Sequence, residues 1–476
     1  MRTKFPSFRR FDFRRAFLSL FTAVFIVSGF LSGPKSVQAA ACATGNDVTI
    51  AVSCDWAAGT HVYTGTLTIN AGVTVTALGN TTTGTGVTVI ADNYVINGTI
   101  EADSNGYAGG TSVSDDGDGP GGGDSQTGFA FGASHGGRGS ENNARGEYGS
   151  AYAPILLGSG GGDDGEVSTP GTGGGAFKLF LNGSGTMTFG NGAVLTADGG
   201  NASAADSGGG AGGSIWIDAP NGTVTIAATH TASVGAIGGR TGASNGGGAG
   251  GGGRIAMYAG TCTNCGNIAF DARGGAQGEQ SGAWPEGGAG SIFLKLNGAT
   301  NGDLIYDNND FAGAEETTLV ASSTNIVDNL IVRDGTDLII PAGFSLSAAA
   351  SFTGGGVDRP SITISDGASF DLPDASNTID DTDIVQRGSI GRTGGVDLEG
   401  LTFTDMSYTY DSDTAKFDYT LNEDLLRNTA LTLNSGEGEL YGSAYDSAGG
   451  YGYYVTRNSP SAVVKVDLAT MTRVGA

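Results

Sequence analysis

The chain is poor in the side chains that carry most catalysis and nucleic-acid recognition. Three histidines, three tryptophans and five methionines are spread over 476 residues. Cations are scarce as well: 23 Lys and Arg stand against 48 Asp and Glu, a formal charge of −25. That balance disfavours phosphate backbones and anionic membranes as partners. Helical spacing of apolar residues is nearly missing beyond the N-terminus, which argues against helix bundles and doubly wound folds. One long apolar run occurs, Ala16 to Gly33, and no later stretch could cross a membrane as a helix.

That run follows the basic segment "MRTKFPSFRRFDFRR" and precedes "PKSVQAA", where Val37 and Ala39 fill the −3 and −1 places of a cleavage site. Together they read as a secretory signal peptide over residues 1–39 and predict a secreted, extracellular or cell-surface protein. Cleavage would remove seven Lys/Arg and Asp12, leaving 16 basic against 47 acidic groups, a charge of −31. The four cysteines, Cys42, Cys54, Cys262 and Cys265, are an even number in an exported chain. They predict two disulfides, most simply Cys42–Cys54 and Cys262–Cys265. A redox Cys-x-x-Cys should open a helix and a zinc site should have a second such pair; neither is found.

What the chain has in abundance is glycine, 87 residues of it. The glycines cluster directly before short apolar runs: "GGGAFKLFL" from Gly173, "AGGSIWIDA" from Ala211, "GGGRIAMYA" from Gly251 and "GAGSIFLKL" from Gly288. The first strong apolar residues, Phe177, Ile215, Ile255 and Ile292, stand 38, 40 and 37 positions apart, a fixed period that marks a repeat architecture. Within each unit apolar residues alternate, as in Ile215–Ile217 and Ile255–Met257, which is the period of a strand. Glycine suits the corners of stacked coils because it accepts φ > 0 and lets backbones approach. Gly208, Gly210 and Gly213 match the dinucleotide pattern G-x-G-x-x-G, yet they precede a strand and open no helix, so they read as structural. Beyond residue 300, "DGTDLIIP" from Asp334 and "DGASFDLP" from Asp366 suggest further coils with tighter turns. The last 46 residues hold strand candidates "ELYGSAYD", "GYGYYVT" and "SAVVKVDL" and the start of a fourth at "TRVGA", the content of one propeller blade. One blade cannot close a ring, so further blades are expected in a longer multidomain chain.

The expected fold is therefore all-β: a parallel β-solenoid (right-handed β-helix) with a truncated C-terminal β-propeller blade. Its layout is a signal peptide at 1–39, glycine-rich solenoid at 40–300, further coils or an acidic β linker at 301–425, and the blade at 426–476. "GVTVIADNYVINGTIEADSNGYAGG", with "GGGAGGSIWIDA" and "GGGGRIAMYAG", resembles the glycine-rich β-helical region of large secreted surface proteins of bacteria and some protists, over roughly residues 44–300. "YDSAGGYGYYVTRNSPSAVVKVDLATMTRVGA" resembles the tandem blade repeat of large bacterial extracellular proteins with β-propellers. Both resemblances imply surface display or adhesion, with polysaccharide or cell-surface glycans as partners, and carry over no catalytic residue.

Candidate sites are few. Closely spaced acids in oxygen-rich loops suit calcium: Asp115, Asp116 and Asp118 in "DDGDG", and Asp411, Asp413 and Asp418 in "DSDTAKFD". Trp216 lies between Ile215 and Ile217 and should face away from them, and Trp284 sits before Pro285; both are candidates for stacking on sugar rings. The alternative to a non-catalytic stalk is a polysaccharide-active β-helix lyase or hydrolase, needing paired carboxylates and a nearby base. Its candidates are Asp115, Asp116 and Asp118, then Asp163, Asp164 and Glu166, with His135 and Arg138 as the nearest basic residues. A flat threonine face for ice or mineral is a third class; "TGTLTINAGVTVTA" supplies alternating Thr, and no regular Thr array is expected to run through the other coils.

Overall fold

A computed structural model describes residues 39–392 except 112–114, 127, 141–144, 166–168, 204–205, 242–246, 278–284, 312–313, 321, 373–377, 381 and 388. Beyond these it describes 402–404, 408–410, 440–446, 449–456, 463–467 and 472–475. The protein is all-β; the three-residue 3-10 turn Cys265–Asn267 is the one helical element among the described residues. No helix among them is long and apolar enough to cross a membrane. Both disulfides form as the spacing predicts, Cys42–Cys54 and Cys262–Cys265.

Two sheets face each other across the first core. The long one carries the strands Gly45–Ile50, Gly59–Ile69, Val87–Ile96, Ala176–Leu181, Thr186–Phe189, Ser214–Ile226, Arg254–Thr263 and Ser291–Leu296, all paired parallel. The second carries Cys54–Trp56, Thr74–Ala77, Thr99–Glu101, Ala193–Thr196, Ala232–Gly235 and Ile268–Asp271, again parallel. Phe177, Ile215, Ile255 and Ile292 stand in register across four strands, one apolar ladder. Each is at most 3% exposed, so each contributes about 1.5–3 kcal/mol of burial.

The stack changes sides at Ser291–Leu296. That strand turns at Asn297-Gly298, both with positive φ (54° and 75°), and pairs antiparallel with Asp303–Asp307. Neighbouring residues of a strand face opposite ways. Ile292 accordingly belongs to the first core, while Phe293 joins a second core with Leu304, Tyr306, Leu330 and Val332 on the other face of the same sheet. From there the long sheet continues parallel through Thr324–Arg333, Ser345–Thr353, Ser369–Leu372 and Ser389–Arg392. A third sheet of Glu316–Thr318, Asp337–Ile340, Ser361–Ile364, Asp383–Gln386 and Tyr408–Tyr410 closes the second core. The two D-G motifs lead into different sheets: Asp337–Ile340 lies in the third sheet and Ser369–Leu372 in the long one. At the C-terminus Leu440–Asp446, Tyr451–Thr456, Val463–Asp467 and Thr472–Gly475 form a four-stranded antiparallel meander.

The glycine clusters are not the corners that the sequence suggests. Gly208–Gly210, Gly212 and Gly213 are buried and none has a left-handed φ. They run between strands as extended segments that hydrogen-bond to other glycine segments with a three-residue return. Gly158 and Gly161 donate to Gly174 and Gly171, Gly209 and Gly212 to Gly248 and Gly251, and Gly210 and Gly213 to Gly200 and Ala197. A return after three residues without internal bonds is the polyproline II period. A Cβ on Gly210 would fall on the Thr172 carbonyl oxygen, and one on Gly213 on that of Gly175. Close approach of backbones, and not positive φ, demands glycine here.

Candidate functional site

The acidic loop "DDGDG" sits on this glycine lattice, and its carboxylates turn to neighbours. Asp116 accepts from Arg145 (2.7 Å) and from the Ser125 amide and hydroxyl (2.8 and 3.0 Å). Arg145 also reaches Asp124 at 3.6 Å, and burial together with Asp116 raises the Asp124 carboxyl above its usual range. Asp115 takes the Thr111 amide and hydroxyl at 3.4 and 3.5 Å, and Asp118 is exposed. Among the described residues no three acidic, histidine or cysteine side chains are grouped to hold a metal ion. Asp411, Asp413 and Asp418 lie outside the described residues, as do Glu166, Trp284 and residues 1–38 of the expected signal peptide.

His135 and Arg138 part from these acids. His135 is wholly buried against Tyr148; its Nδ1–H donates to the Gly212 carbonyl (2.7 Å), and its Nε2 has no partner among the described residues. Burial, seconded by the nearby Arg254 charge, pulls its pKa down to about 3, so it is neutral at physiological pH. Arg254 is itself buried, donating to Tyr148 O (2.9 Å), Ser291 Oγ (3.0 Å) and His135 O (3.3 Å). Arg138 bridges Glu316 (2.6 Å) and the buried Glu147 (3.7 Å), whose carboxylate also accepts the Thr318 amide (3.0 Å). Asp163 is buried and accepts the Gly165 amide at 2.7 Å. Asp164 is buried too. Arg254, Arg138 and Glu147 tie His135 and Tyr148 to strands of both stacks.

Trp216 faces away from Ile215 and Ile217, as alternation predicts, yet that face is covered. Its ring lies under Lys178 Nζ (3.4 Å) and beside Tyr258 (6.1 Å), with Lys178 paired to Asp218 at 2.5 Å. A groove of about 340 Å³ opens next to it, lined by Thr60, Thr88, Ile155, Leu156, Phe177 and Lys178.

A second cleft, about 370 Å³, is built where three rungs of the second sheet end, at the recurring segments "VLTADGG", "SVGAIGG" and "IAFDARGG". Asp103 accepts the Asp198 amide (2.8 Å) and Asp198 accepts the Ile237 amide (2.7 Å), so each carboxylate caps the rung beyond its own. Burial, with Asp103 and Asp271 nearby, pushes Asp198 up to about 6. Arg240, Arg273, Asn201 and Phe311 share the lining. A carboxyl that titrates near neutrality beside a second carboxylate in a cleft is the usual mark of acid–base chemistry; here the same carboxylates also hold backbone amides.

A further feature escaped the sequence: threonines of the T-x-T segments at 66–68, 186–188, 223–225 and 261–263 align across the long sheet. This corrects the expectation that no regular array runs through the coils: the segments are visible in the chain, but 117 residues separate Thr68 from Thr186. No protein-family model, no curated protein and no solved structure matches the chain.

Proposed function

We propose that the protein is a secreted or cell-surface structural, adhesin-type protein: a non-catalytic, right-handed β-solenoid stalk that presents a β-propeller, of which the C-terminal meander is a blade. The observation that carries this reading is the use made of polar groups. Asp103, Asp198 and Asp116 are committed to backbone amides or Arg145, and His135 is sealed in the interior. Stacked parallel strands and hydrogen-bonded glycine segments suit a rigid spacer, and two disulfides suit an oxidising compartment. Polysaccharide or cell-surface glycans are the partners this reading expects.

The competing reading is a polysaccharide-active enzyme, favoured by the raised carboxyl of Asp198 beside Asp103. One experiment separates the two. The full chain, with and without calcium, is incubated with a panel of polysaccharides while retention and new reducing or unsaturated ends are scored together. Retention without new ends supports the stalk. Cleavage that survives dialysis and disappears in Asp198→Asn sinks it.

A further inference from the structure

We propose that the outward facet of the long sheet between Thr49 and Thr263 binds the surface of ice. The inference is independent of where the protein is displayed. Parallel register brings Thr49, Thr68, Val95, Thr188, Thr225 and Thr263 into one column across six strands. A second column runs beside it through Thr66, Asn93, Thr186, Thr223 and Thr261; Asn93 Oδ1 accepts the Thr186 amide at 2.9 Å. Side chains repeat at ~4.8 Å along each column and at ~6.6 Å between the columns, the spacings of a parallel sheet.

The facet is set off from the face before it and backed by a packed core. Register shifts between Tyr63 and Thr66 and between Ala219 and Thr223 bend the strands away from the preceding face, the first at Gly65 with φ 94°. Beneath the columns Leu67, Tyr94, Met187 and Val224 stack with Ile69, Ile96, Phe189 and Ile226, all at most 1% exposed. The last rung is pinned by the Cys262–Cys265 bond and by Cys262 N–H donated to Asn297 Oδ1 (2.6 Å).

None of the nine threonine hydroxyls has a protein partner among the described residues. The one charge in the two columns is at the outer end of the second, where Asp47 Oδ1 accepts the Thr66 amide at 2.8 Å. The contrast with the second sheet is sharp. Its outward column on the same rungs reads Asp55, Thr76, Glu101, Thr196, Gly235 and Asp271. There the Thr76 and Thr196 hydroxyls are donated to Glu101 (3.3 Å) and Asp103 (3.0 Å). On the threonine facet every rung except Val87–Ile96, which presents Val95 and Asn93, offers methyls, which order the water above them, and hydroxyls, each one donor and two acceptors, which anchor it. A ligand that repeats in two dimensions at such spacings and asks for neither charge nor a stacking ring is ordered water itself. A mineral would call for carboxylates in the columns, and a crystalline polysaccharide for aromatic platforms.

The test grows ice slowly in a solution of the labelled full chain and an inert reference protein, and reads how much of each enters the ice. The wild type is expected to be enriched over the reference and to facet small ice crystals. Thr188→Lys with Thr225→Lys places bulk and charge in the middle of the array and should fall to the reference level. Ser233→Lys, exposed on the second sheet, should keep wild-type enrichment. Circular dichroism confirms folding; should the double variant not fold, Thr225→Ser, which loses one methyl, should show a partial loss. Exclusion of the wild type from ice overturns the proposal, with or without retention on crystalline cellulose or chitin. So does full enrichment of a folded Lys variant, or of Thr225→Ser where that variant stands in.

Discussion

The stranded rungs and the glycine lattice solve one problem in two ways. In the rungs, backbone groups pair across parallel strands and side chains such as Ile215, Ile255 and Met257 exclude water from the interior. In the lattice, backbone groups pair between glycine segments, and absence of side chains lets chains close on one another until no Cβ fits. The first solution gathers its stability from apolar area and bends to moderate changes of volume. The second gathers it from backbone hydrogen bonds and tolerates no added atom. Glycine's entropic cost, about 0.5–1 kcal/mol each relative to alanine, is therefore concentrated where nothing larger fits.

Substitution should expose the contrast most strongly inside the lattice. Gly213→Val would drive its side chain into the Gly175 carbonyl, and we expect loss of folded protein in expression and thermal melts. Gly72→Ala, at an open turn with φ 76°, should lower stability by only about 1 kcal/mol, the strain of a left-handed residue. Equal effects at the two sites would erase the distinction. A rung should respond between these extremes: Ile217→Ala leaves a cavity in the first core and should cost about 2–5 kcal/mol by denaturant titration.

The smallest effect sharpens the account of the cleft. Asp198 titrates near 6 in the folded protein, above a free carboxyl at about 3.9. Between those values the folded state holds the proton more tightly, so this group favours folding at low pH and loses that contribution as pH rises through 6. Asp198→Asn can still accept the Ile237 amide. It should melt above the wild type at pH 8 and level with it at pH 4; the reverse order would show that the charge is stabilised in place.

Much of the strand pattern was legible in the sequence. Alternation located the strands around Ile215, Ile255 and the C-terminal meander, and cysteine spacing gave both disulfides. The glycine lattice was not legible, because a three-residue period made of one residue type leaves no pattern to read. Nor was the change of side at Ser291–Leu296, which depends on pairing direction, although Asn297-Gly298 marks the turn. The cleft joins Asp103 and Asp198 from rungs 95 residues apart, and the threonine columns need the register to align them. His135 and Arg138 show the limit of sequence proximity: three residues apart, one is sealed beside Tyr148 and the other joins Glu147 and Glu316.

Hydrogen exchange read peptide by peptide bears most directly on the central claim, that glycine segments are a core in their own right. Amides of residues 208–213, of Gly248 and of residues 250–253 should exchange as slowly as those of the strand Ser214–Ile226, since their partners are backbone carbonyls within the lattice. Exchange at the rate of open loops, with the strand still protected, would contradict it and return these glycines to the role of linkers between coils.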